Sequence, residues 1–114
     1  TQALLPLLKA GKPSRVINVS SQLGSVQNMT DGWAGYGISK AALNAATRKL
    51  AEALRPHGIS VNAASPGWVK TDMGGDNAPV TPHDSVAGLL KVLDAATKND
   101  AGRFVDYKGA EIAW

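Results

Sequence analysis

Tyr36 and Lys40 stand four residues apart in the run GYGISKAALN, residues 35–44. On a helix, positions i and i+4 share one face. A free phenol ionises near pH 10 and is a poor base at neutrality, whereas a cation within a few ångströms favours the phenolate. Such a pair can exchange a proton with a substrate oxygen at useful pH. The spacing alone is a weak signal, because Tyr-x-x-x-Lys arises by chance in about one chain of this size in five to ten. Taken by itself it reads as an exposed amphipathic pair on a solvated helix face.

Two further groups change that reading. Ser21 closes the stretch RVINVSS, in which Val16, Ile17 and Val19 mark a strand. A hydroxyl at the carboxyl end of a parallel strand lies where such sheets bind ligands, although serines also simply begin turns. Ser65-Pro66-Gly67-Trp68-Val69-Lys70-Thr71 likewise follows a strand, ISVNAAS at 59–65. Its Pro66-Gly67 turn permits close approach of a ligand to the backbone. The Val69 backbone and the Thr71 hydroxyl suit a flat amide, and a plain loop turn accounts for the stretch equally well.

The elements that position these groups follow from pattern and punctuation. Residues 1–9 read as a helix, with Pro6 acceptable in a first turn. Residues 33–55 read as a second helix with a stripe at Leu43, Ala46, Leu50, Ala53 and Leu54, closed by Pro56 and Gly58. A third opens at Thr81 with Pro82 and Asp84 in capping positions and a stripe at Val86, Leu89, Leu90 and Leu93. RFVDY, 103–107, reads as a third strand, and Trp114 is expected to pack against it. Alternating helix and strand imply an α/β fold with a parallel sheet and right-handed crossovers, about three strands and three helices in one partial domain spanning 1–114.

Composition narrows the function. At 114 residues, 44% apolar and 18% charged, the chain has a globular composition. It has no apolar run of membrane-spanning length and no cysteine, so a reducing, cytoplasmic compartment is expected. His57 and His83 lack acidic partners at ligand spacing, so no metal site is expected. The 12 basic and 9 acidic residues are scattered, which argues against nucleic acid as a partner. The chain opens at Thr1 in the middle of a helical pattern, and a longer parent is expected.

Together, RVINVSSQLG, YGISKAALN, GISVNAASPGWVKT and GRFVDYKGAEIAW resemble the carboxy-terminal catalytic half of the short-chain dehydrogenase/reductases, a Rossmann-like fold. The loop and tail most resemble the carbonyl-reductase-like, C-factor and sniffer-like group. The resemblance implies an NAD(P)-dependent oxidoreductase moving hydride between the nicotinamide and a small carbonyl or alcohol substrate, with NADPH slightly preferred over NADH. It implies that Tyr36 is the general acid or base, that Lys40 assists it and binds the nicotinamide ribose, and that Ser21 rather than Ser20 holds the substrate oxygen. Pro66, Gly67, Val69 and Thr71 match contacts to the nicotinamide carboxamide. The family often forms subunit interfaces through helices matching 1–9 and 33–55, so a homo-oligomer is a possible state of the parent. The alternative is a non-catalytic binding or signalling protein of the same fold.

Two departures accompany the match. The family's glycine-rich dinucleotide loop has no counterpart, since Gly74-Gly75 does not join a strand directly to a helix. The family's asparagine one helix earlier is also missing, and Asn18 and Asn44 are expected to have structural hydrogen-bonding roles. With the first four strands absent, RVINVSS is expected to carry an unpaired edge, and the isolated chain to be poorly stable or self-associating, with little cofactor affinity. Trp33 and Trp68 flank the expected site, to line a pocket or to pack under a loop. The short 72–85 loop implies an open pocket.

Overall fold

The computed structural model describes residues 1–114. Its elements are α1 (Leu5–Ala10), β1 (Ser14–Val19), α2 (Ala34–Leu54), β2 (Ile59–Ser65), α3 (Pro82–Ala95) and β3 (Phe104–Asp106), the α/β order read from the sequence. A single 3-10 turn, Gln2–Leu4, precedes α1, which places Pro6 in the first turn of the helix proper.

The three strands form one parallel sheet in the order β1-β2-β3. Register pairs Val19 with Ala64, and Ala64 with Val105, so all three carboxyl ends reach one edge of the sheet. Every residue of the central strand β2 is buried. Successive strand side chains point to opposite faces. Ile59 and Val61 meet Ala51 and Leu54 of α2 in the apolar core, whereas Asn62 and Val105 line a cleft against α3 on the other face. The outer edge of β3 is covered by the chain's own tail: Asp106 N donates to Ala110 O (2.8 Å) and Ile112 N to Phe104 O (2.9 Å). The Trp114 ring lies 5.5 Å from that of Phe104, as expected for a residue packed on the last strand. β1 pairs only with β2, which leaves its outer edge open.

Two buried stripes differ from those expected. In α2 the buried residues are Gly37, Asn44, Thr47, Ala51 and Leu54. Of the expected stripe only Leu54 is buried; Leu43 and Leu50 are half-buried, and Ala46 and Ala53 are exposed. The reason is the strand beneath. The end of β1 presents Asn18, and Ser20 follows it, so the helix turns its polar side inward there. In α3 only Ser85 is buried, its hydroxyl donating to Pro66 O (2.7 Å), while Val86 and Leu90 are exposed. The α3 cap forms as the sequence indicates: the Thr81 hydroxyl accepts from Asp84 N (3.1 Å).

Candidate functional site

Tyr36 and Lys40 lie in the first two turns of α2, both half-buried, so the fully solvated reading of the pair does not hold. Lys40 reaches the end of β1: its Nζ donates to Val19 O at 3.1 Å and sits 5.6 Å from the centroid of the Tyr36 ring. One donor of the ammonium is thereby used at the carboxyl end of the strand, and two remain.

Ser20 and Ser21 have different fates. Ser20 is buried, and its hydroxyl donates to Asn44 Oδ1 (2.6 Å). Ser21 is half-buried and begins the 3-10 turn Gln22–Gly24, where its hydroxyl accepts from Leu23 N (3.2 Å). Accepting that bond leaves the Ser21 proton free to be donated. The turn lies directly on α2 because two glycines remove the obstacle. A Cβ at Gly24 would fall 2.8 Å from Lys40 Cβ, and one at Gly37 would fall 2.9 Å from Leu23 O. The elements bearing Ser21, Tyr36 and Lys40 thus interlock at the carboxyl end of β1.

The loop after β2 leaves from the same edge of the sheet. Gly67 has φ 82°, and a Cβ there would fall 3.0 Å from the Tyr107 ring, so the turn requires glycine. Lys70 N donates to Val80 O (2.8 Å) and Val80 N to Trp68 O (3.2 Å), pinning Val69 beside Val80. The Val69 N–H itself makes no hydrogen bond within the chain. The Thr71 hydroxyl donates to Val69 O (3.3 Å) and accepts from Gly74 N (3.2 Å), both long bonds that a better partner can displace. A free amide donor beside an exchangeable hydroxyl fits a carboxamide, the polar group of a nicotinamide. Two free ammonium protons on Lys40 fit ribose hydroxyls.

Trp33 and Trp68 are 75% and 58% exposed, so neither packs under a loop. Trp68 Nε1 donates to Gly74 O (2.8 Å), which fixes that ring on the loop. Trp33 is the N-cap of α2 in the left-handed conformation (φ 55°), strained for a residue with a Cβ. A cleft of about 560 Å³ between α3 and β3 is lined by Asn62, Lys91, Arg103 and Tyr107, among others, and by none of Ser21, Tyr36, Lys40, Pro66, Gly67, Val69 and Thr71. Sequence reasoning gave Asn44 a hydrogen-bonding role but not its partners. The signal was the spacing 36, 40, 44, which sets a polar side chain on the same helical face in an alanine-rich run.

A parallel α/β sheet with loops leaving the carboxyl ends of its strands, one of them through a glycine turn, is the architecture of the dinucleotide-binding α/β class. The sequence profile of the short chain dehydrogenases matches residues 1–80, and the chain belongs to that family. It is 47% identical over 115 aligned positions to C-signal of Myxococcus xanthus, covering 100% of this chain and 69% of that protein. Among solved structures it superposes on the carbonyl reductase Sniffer of D. melanogaster with a TM-score of 0.91 at 42% identity, covering 99% of this chain and 50% of that one. It superposes on the NADPH-bound carbonyl reductase from chicken fatty liver with a TM-score of 0.89, also at 42% identity and the same two coverages. The chain therefore spans about half the length of the solved carbonyl reductases it matches. No helix is long and apolar enough to cross a membrane.

Proposed function

We propose that this chain is the carboxy-terminal catalytic half of an NAD(P)-dependent carbonyl reductase or alcohol dehydrogenase, acting on a small carbonyl or hydroxyl substrate. The observation that carries the reading is the placement of Lys40, whose ammonium joins the end of β1 to the face of Tyr36, two residues before Ser21. Ser21 donates to the substrate oxygen and orients it. Tyr36 hands its phenolic proton to that oxygen as the carbonyl carbon becomes tetrahedral, and in the oxidative direction takes the proton back. Lys40 stabilises the charge left on Tyr36 and offers its two remaining protons to the nicotinamide ribose. The Val69 N–H and the Thr71 hydroxyl hold the carboxamide, with Pro66 and Gly67 shaping the turn. When bound, the nicotinamide supplies or accepts the hydride. NADPH is favoured over NADH by likeness to the NADPH-bound carbonyl reductase, and a cytoplasmic, homo-oligomeric parent fits the cysteine-free composition and the small residues along α2.

A second reading, signalling without turnover, draws on the 47% identity to a protein named C-signal. Tyr36→Phe in the full-length protein separates the two. Ketone reduction with NADPH is expected to fall about 10²- to 10⁴-fold while NADPH affinity is kept. Reduction surviving at a near-normal rate defeats the catalytic reading.

A further inference from the structure

We propose that Asn44 is a positioning residue for this reaction: it holds the turn that carries Ser21 in register with the helix face that carries Tyr36 and Lys40. The inference rests on the reductase reading above and adds a residue to it. Asn44 is buried at 3% exposure and makes two hydrogen bonds, to partners on either side of Ser21 in the chain. Its Oδ1 accepts from the Ser20 hydroxyl at 2.6 Å, and its Nδ2 donates to Gly24 O at 3.1 Å. One side chain therefore ties both ends of the segment 20–24 to α2, at the third position of the spacing 36, 40, 44.

Part of what the amide does is answer a stability demand: the carbonyl of buried Gly24 belongs to the main chain, and no apolar substitution at 44 would give it a partner. What the amide adds beyond this is direction. An apolar contact tolerates sliding of the turn along the helix, whereas two bonds of fixed geometry do not. A slide of about 1 Å moves the Ser21 hydroxyl relative to the Tyr36 phenol, an error that costs up to about 10²-fold in rate. The neighbouring bond, Asn18 Nδ2 to Thr47 Oγ1 (2.8 Å), anchors β1 itself and does not bracket Ser21, which makes it the control.

The test is a double-mutant cycle in the full-length enzyme with NADPH and a ketone, comparing Asn44→Ala, Ser21→Ala and the double variant. Thermal midpoint and NADPH affinity are measured on each. Asn44→Ala is expected to lower kcat about tenfold with NADPH affinity within about twofold. In the Ser21→Ala background the same change is expected to cost less than about twofold, because the group it positions is gone. Thr47→Val is expected to cost the same factor in both backgrounds. Equal losses for Asn44→Ala in both backgrounds, or no loss with Ser21 present, overturn the proposal. If Asn44→Ala does not fold, Ser20→Ala cuts the 2.6 Å bond alone and is read the same way. A Tyr36→Phe enzyme that still reduces the ketone overturns the reductase reading and this inference with it. An inactive Tyr36→Phe beside an additive cycle overturns only the role of Asn44.

Discussion

The two ends of α2 are built differently. Toward its carboxyl end, Ala51 and Leu54 pack on Ile59, Val61 and Ala101, an apolar cluster with no polar side chain. Toward its amino end the same helix face carries Thr47, Asn44 and Lys40, bonded in turn to Asn18, to Ser20 and Gly24, and to Val19 O. Apolar packing is non-directional and holds the helix on the sheet. Hydrogen bonds are directional and fix where along the strand the helix sits. One end holds the helix on the sheet, and the other fixes its register on the end of β1.

Substitutions should separate the two roles. The largest effect on stability is expected at the apolar end: Leu54→Ala costs about 2–5 kcal/mol, read by denaturant unfolding of the full-length protein. Turnover per folded molecule stays unchanged, and a selective loss of turnover would break the comparison. Gly24→Ala comes next. Its methyl would lie 2.9 Å from the Lys40 main-chain carbon, which cannot move as a side-chain tip can. A loss of about 1–3 kcal/mol is expected, with a loss of turnover that Leu54→Ala does not show. The open edge of β1 predicts that the isolated 114-residue chain associates with rising concentration in sedimentation velocity, a single monomeric boundary being the contrary result.

The smallest effect lies away from α2 and sets the background. Bonds from the Thr97 hydroxyl and backbone, with Arg103 nearby, hold the Asp100 carboxyl below its ordinary value of 3.8. A lowered folded value means that its contribution to stability is complete above the ordinary carboxylate range and is lost as pH falls through the folded value. NMR titration is expected to find Asp100 ionising below ordinary aspartates and Thr97→Ala returning it toward 3.8, with turnover unmoved.

The sequence made the elements legible because their punctuation is local. Pro56 and Gly58 close the second helical stretch, Thr81 and Pro82 open α3, and β2 spans the same ISVNAAS that β-branched residues and turns mark out. It misdirected the stripe of α2, because leucine spacing assumes an apolar surface beneath, and the helix there meets Asn18 near the end of β1 and Ser20 just beyond it. It also misdirected the stripe of α3, where the buried position is a serine bonded to a distant loop carbonyl, a contact 19 residues away that no periodicity reports. The residue types of the candidate site, Ser21, Tyr36, Lys40 and the 66–71 turn, could be read along the chain. What was not legible was how they are held. The approach of the 22–24 turn to α2 depends on two glycines from different elements meeting the same helix–turn contact.

The central claim is that Ser21 and Tyr36 act on one substrate oxygen. It is tested most directly by a crystal structure of the full-length protein with nicotinamide cofactor and a ketone. The account predicts the carbonyl oxygen within about 3 Å of both Ser21 Oγ and Tyr36 Oη, with Lys40 Nζ on the ribose. A ketone bound with its oxygen beyond hydrogen-bond reach of either hydroxyl contradicts it.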